Sequence, residues 1–170
     1  MEIQEHIKTK FERNEKALTL KPSLGFGKKT SVTKLVNGLS CEIKEGNWVL
    51  KTDMPEQVGG NGTAPTPGTY GRAALGACLA SGYMMWASKL NIPIESLEIK
   101  IEADFDDGGL FDTSDSFPGY SEVRYSIKIE SPLSLSEIEE FLDKADKHSP
   151  YLDVFRRSQP CVRNVELINN

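Results

Sequence analysis

Apolar residues recur every four positions at the start of the chain, at Ile3, Ile7 and Phe11. That spacing predicts a narrow apolar stripe along an otherwise charged helix over residues 1–20. KPSLGFGKK then interrupts the pattern with Pro22, Gly25 and Gly27. TSVTKLVNGLSCEIKEGNWVLKTD follows. The apolar contacts are Val32, Leu35, Val36, Ile43, Trp48 and Leu50, and Asn37-Gly38 and Glu45-Gly46-Asn47 are turn signals. This predicts a β-meander. MPEQVGGNGTAPTPG, with four glycines and three prolines, reads as a loop.

GRAALGACLASGYMMWASKL, residues 71–90, carries only two charges, Arg72 and Lys89. It predicts a buried helix ending near Asn91, because Pro93 cannot continue it. LEIKIEADF and YSEVRYSIKIES alternate apolar and polar positions, so both predict half-buried strands, joined by the loop DDGGLFDTSDSFPG. Ser134 and Glu137 form a capping-box pattern ahead of Leu135, Ile138, Phe141, Leu142 and Ala145. Lys144 and Lys147 suit the C-terminal end of that helix. YLDVFRRS reads as a short helix and CVRNVELI as a closing strand. The order predicts an α+β fold, helices covering one face of a mostly antiparallel sheet.

The 170 residues fit one domain with a real core. The net charge of −5, with Lys and Arg scattered, argues against a nucleic-acid-binding face. The polar N-terminus has no apolar h-region, so no secretory signal is expected. Residues 73–88 fall short of the roughly 20 apolar residues that a bilayer needs, and mean hydropathy is −0.39; no membrane span is expected. Cys41, Cys78 and Cys161 are odd in number and widely spaced, which points to a reducing cytoplasm rather than a disulfide framework.

GFGKKTS lacks the glycine and the Ser or Thr that a phosphate loop requires. DFDDGGLFDTSD has the charge of a calcium loop, but Gly108 and Asp115 stand where ligands should be. Neither CxxC nor HxxxH occurs, and His6 and His148 are far apart, so no metal or other cofactor is expected.

Cys78 remains. On a helix its same-face neighbours are Ala74, Leu75, Ser81 and Gly82, three of them small. The sulfur therefore lies in a shallow trough, with Met85 and Trp86 further along as candidate apolar contacts for a substrate. Free cysteine is also a common small core residue, and close helix packing explains the same pattern. Reactivity needs thiolate, hence a nearby positive influence. Cys78 lies more than two turns into the helix, beyond the reach of the dipole, and Arg72 is six residues back.

PEQVGGNGTAPTPGTYGRAALGACLASG, followed by NIPIESLEIKIEAD and SPLSLSEIEEFLDKADKHSP, resembles the OsmC/Ohr family of osmotically inducible and organic hydroperoxide resistance proteins. The resemblance runs from about Thr30 to Ile168 and is most specific between Pro55 and Pro150. It implies a single OsmC-like domain over 29–170 behind an added charged arm, 1–28. It implies a mainly antiparallel sheet packed on a long central helix, in an intertwined homodimer. It further implies thiol-dependent reduction of organic hydroperoxides, Cys78 matching the family's first cysteine. The second cysteine position holds Ser149, and the family's glutamate position holds Gly68. The arginine expected from the N-terminal strands is absent, since no Arg occurs between Arg13 and Arg72; Lys34, Lys44 and Lys51 occupy that region, without arginine's planar fork. An external thiol reductant, Cys161 from the last strand, or Cys41 across a dimer interface is then left to resolve an oxidised Cys78.

Three readings follow. One is a one-cysteine peroxidase acting through Cys78. The second is a non-enzymatic dimeric binding module holding a small hydrophobic ligand near Cys78. The third is a structural dimer in which Cys78 is core.

Overall fold

Helix α2, Pro67–Leu90, organises the fold. Thr66 caps its start, its hydroxyl accepting from the Thr69 amide, and Pro67 occupies the first turn. At its end Asn91 adopts a left-handed conformation at φ 57°, and the Ile92 amide reaches back to the Ala87 carbonyl at 2.9 Å. Leu75, Leu79, Tyr83 and Ala87, four residues apart, are all buried. They make the core stripe of the helix.

The computed structural model describes residues 2–169. Chain order is α1 (Glu2–Leu20), β1 (Val32–Asn37), β2 (Ser40–Glu45), β3 (Trp48–Thr52), α2, β4 (Ser96–Phe105), α3 (Asp107–Leu110), β5 (Tyr120–Glu130), α4 (Leu135–Asp146) and α5 (Pro150–Arg156), with short 3₁₀ turns at Pro22–Gly25 and Glu56–Val58. The strands form two antiparallel sheets, β1-β2-β3 and β4-β5.

In the second sheet, Leu97↔Ile129, Ile99↔Ile127, Ile101↔Tyr125 and Ala103↔Val123 pair on one face, against α2. The outer face carries charge pairs such as Lys128 with Glu98. Gly76 lets helix and sheet approach: a Cβ there would stand 3.3 Å from Ile101 Cγ1. Helices α4 and α5 close the core with Phe141, Ala145 and Leu152. The Ser134–Glu137 capping box forms as the sequence predicts.

The meander also forms, with Gly38 and Gly46 at φ 54° and 55° in its two turns. It stays largely exposed, unlike β4-β5.

The charged arm is a 19-residue helix lying on α2. Phe11 meets Trp86 edge-on at 5.3 Å. Gln4 donates to the Ile92 carbonyl at 2.8 Å, Lys8 donates to the Asn91 side chain at 2.7 Å, and Glu15 pairs with Lys89.

Two expectations are corrected. The 106–119 loop opens with the one-turn helix α3. Residues 161–168 are not a closing strand: they pair with no strand, and Val162, Val165, Leu167 and Ile168 are exposed. Alternation alone does not make a strand, which exists only through ladder bonds to a neighbour. No described helix is long and apolar enough to cross a membrane.

Candidate functional site

Cys78 sits half-buried in the middle of α2. Its Sγ lies 3.8 Å from Ser149 Oγ, 71 positions away in sequence. Ser149 is itself buried and caps α5, its Oγ accepting from the Leu152 amide at 3.4 Å. That bond occupies an oxygen lone pair and leaves the hydroxyl proton free for the Cys78 sulfur. Among the described residues no cation bonds the sulfur. Lys44 pairs with Glu42 on the exposed sheet, and Arg72 Nη1 donates to Tyr120 Oη.

The remaining sequence candidates lie elsewhere. Cys161 is in the exposed tail and Cys41 on β2. Met85 is 45% exposed, on the side of α2 away from the core. Trp86 is half-buried under α1, stacked on His148 with ring centroids 4.6 Å apart, and the ammonium groups of Lys89 and Lys144 lie over its ring. Its indole face is thus already covered by side chains of this chain. Among the described residues no three His, Cys, Asp or Glu side chains cluster to hold a metal ion.

Beside the α2 core stripe lies a buried polar cluster. Tyr83 donates to Asp146 at 2.6 Å, and Tyr125 donates to the same carboxylate. Burial, reinforced by that carboxylate, pushes both phenols up, Tyr125 to about 12. Neither phenol is a proton acceptor near neutral pH; the cluster fixes the end of α4 close to Ser149.

Sequence reasoning missed a cleft of about 570 Å³ between the 54–58 loop, the first turns of α2 and the segment from Phe105 to Tyr120. Val58, Phe105, Leu110 and Phe111 give it apolar walls, and Arg72, Tyr120 and Asp107 give it polar groups. The available signal was Arg72, a lone charge at the head of an apolar helix.

The 54–58 loop is held by Asp53, which is 1% exposed. Its carboxylate accepts from the Thr63 amide at 3.1 Å and hydroxyl at 2.8 Å, from Met54 N at 2.8 Å and from Asn61 N at 3.3 Å. Gly60 is required here, since a Cβ would stand 1.9 Å from the Met54 carbonyl oxygen. The Thr63 amide leads the donors that lower the Asp53 pKa from 3.8 to about 2. A depressed carboxylate contributes stability that is present above its unfolded pKa and fades as pH falls from about 4 toward 2. Asp53→Asn is therefore expected to lower Tm by several degrees at pH 7 and to flatten the acid limb of Tm against pH. An acid limb that matches the parent between pH 4 and 2 refutes this role.

A family model for OsmC-like proteins matches residues 60–162. Among solved structures the chain is similar to an OsmC-like protein from Mycoplasma pneumoniae, at 21% identity and a TM-score of 0.66, covering 76% of this chain and 88% of that one. It is similar to an organic hydroperoxide resistance protein from Legionella pneumophila, at 21% identity and a TM-score of 0.59, covering 78% and 91%. It is similar also to an organic hydroperoxide resistance protein from Elizabethkingia anophelis with thiocyanate bound, at 17% identity and a TM-score of 0.60, covering 77% and 89%. At these identities the likeness is one of fold. No curated protein sequence matches the chain.

Proposed function

The chain belongs to the OsmC-like family, and from that premise we propose that it reduces organic hydroperoxides with Cys78 as the atom oxidised. The observation that carries the reading is the 3.8 Å approach of Ser149 Oγ to Cys78 Sγ. It joins the position of the family's second cysteine to the helix cysteine and supplies a hydroxyl donor to the thiolate.

The Cys78 thiolate attacks the terminal peroxide oxygen, the O–O bond breaks, and the departing alkoxide takes a proton to leave as alcohol. Two electrons pass from sulfur to peroxide, and sulfur keeps the hydroxyl as sulfenic acid. Ser149 cannot close a disulfide. An external dithiol attacks the sulfenic sulfur instead, water leaves, and its second thiol opens the mixed disulfide to restore Cys78. Such a cycle belongs in a reducing compartment.

Cys78→Ser is expected to abolish turnover of an alkyl hydroperoxide with dithiothreitol, while Cys161→Ser and Cys41→Ser keep it. Turnover that survives Cys78→Ser removes this reading, as does a Cys78 that resists alkylation until the protein unfolds.

The proposal includes a homodimer. Two surfaces support it: the apolar face of β1-β2-β3, where Leu35 and Trp48 are 70% and 77% exposed, and the small-residue edge of α2 at Ala73, Ala77 and Ser81. Sedimentation equilibrium tests the association.

A further inference from the structure

The cleft at the head of α2 is a separate feature, and Cys78 does not line it. Its volume of about 570 Å³ lies in the range of small-molecule sites. Arg72 is half-buried there and makes no ion pair among the described residues; the ion-paired arginines are Arg124, Arg156 and Arg157. One guanidinium nitrogen is fixed by Tyr120 Oη at 3.1 Å, and that hydroxyl donates onward to the Gly68 carbonyl at 3.1 Å. A guanidinium carries five N–H donors, so most of the fork is held in place without a protein acceptor. The neighbouring position is glycine: a Cβ on Gly68 would stand 3.4 Å from Arg72 Nη1 and 3.5 Å from Tyr120 Oη. Gly68 itself adds no side chain beside the fork.

A partly desolvated, oriented guanidinium without a counter-ion favours a planar anion that takes two parallel hydrogen bonds. The walls at Val58, Phe105, Leu110 and Phe111 favour an apolar body. Asp107, the other charged side chain of the cleft, lies beyond ion-pair distance of Arg72 and disfavours a second negative charge on the ligand. We propose that this cleft binds small amphipathic monocarboxylic acids, the carboxylate on Arg72 and the alkyl or aryl body against the apolar wall. The site is independent of thiol chemistry at Cys78.

Calorimetric titration of the full chain with octanoate and with octan-1-ol tests it. Octanoate is expected to bind, and octan-1-ol, which has the same body without the charge, to bind at least about tenfold more weakly. Arg72→Met is expected to weaken octanoate about tenfold or more. Gly68→Glu is expected to do the same by placing an internal carboxylate beside Arg72, with circular dichroism confirming the fold of both variants. Cys78→Ser is expected to bind octanoate as the parent does, which separates this test from the peroxidase reading. Absence of octanoate binding, equal binding of the alcohol, or an affinity indifferent to Arg72→Met overturns the proposal, including the case in which a second copy of the chain fills the cleft.

Discussion

Ser149→Cys is expected to form an internal disulfide between Cys78 and the introduced thiol after one equivalent of hydroperoxide. The parent chain is expected to stop at sulfenic acid or pass to the external reductant. The hydroxyl being replaced already lies 3.8 Å from the sulfur, and the longer C–S bond brings the new thiol closer. The introduced thiolate attacks the sulfenic sulfur and water leaves. The energetics run in opposite directions in the two redox states. When reduced, the variant loses the Ser149 cap on the Leu152 amide, a loss of about 1 kcal/mol. When oxidised, the crosslink closes a loop between positions 71 apart, which in the chain-entropy account stabilises by about 4 kcal/mol. The oxidised variant should therefore be the more resistant to urea and the reduced one slightly less so than the parent. Intact-mass and peptide mapping decide the matter: over-oxidation of Cys78 with a free introduced thiol means that the two side chains do not meet during the reaction.

The same contact marks a limit of what the sequence discloses. Cys78 was conspicuous as a sulfur amid small residues, but residue types alone did not connect it to Ser149; only the family resemblance did. Regular elements were legible where one periodicity ran long enough: the 24-residue α2, the alternating β4 and β5, and α4 with its capping box. The tail at 161–168 has strand-like alternation too, yet no strand lies beside it; pairing is a property of the neighbour as much as of the segment. The cleft was not legible because it is assembled from three segments between Met54 and Tyr120. Nor was Asp53, whose four donors come from a stretch that reads in sequence only as polar loop. Trp86 stood out as a candidate substrate contact. Its stacking on His148 and its edge contact with Phe11 depend on how α1 docks, which the arm's narrow stripe does not specify.

The protein is expected to sediment near twice its chain mass of 18.9 kDa, and Trp48→Glu combined with Leu35→Glu to return it to a monomer. The register of the first sheet, Leu35↔Cys41, Ile43↔Leu50 and Glu45↔Trp48, gathers Leu35, Cys41, Ile43, Trp48 and Leu50 on one face. Glu45, opposite Trp48, lies at the edge of that face, and the other face carries Lys34, Glu42, Lys44 and Lys51 together with Val32 and Val49. A three-stranded sheet with an uncovered apolar face is a poor solution in water, and a two-fold partner offers the same surfaces back to it. A buried aromatic anchor is worth about 2 kcal/mol or more at an interface, roughly a thirtyfold change in dissociation constant for each site lost. The two halves of the fold should then respond differently. The core around Leu75, Leu79, Tyr83 and Phe141 belongs to one chain, so α2 and β4-β5 should persist in the double variant. The meander, deprived of its cover, should lose amide-exchange protection at Ile43 and Leu50. A parent that sediments at 18.9 kDa removes the dimer, and a double variant that unfolds throughout means that the core of one chain is not self-sufficient.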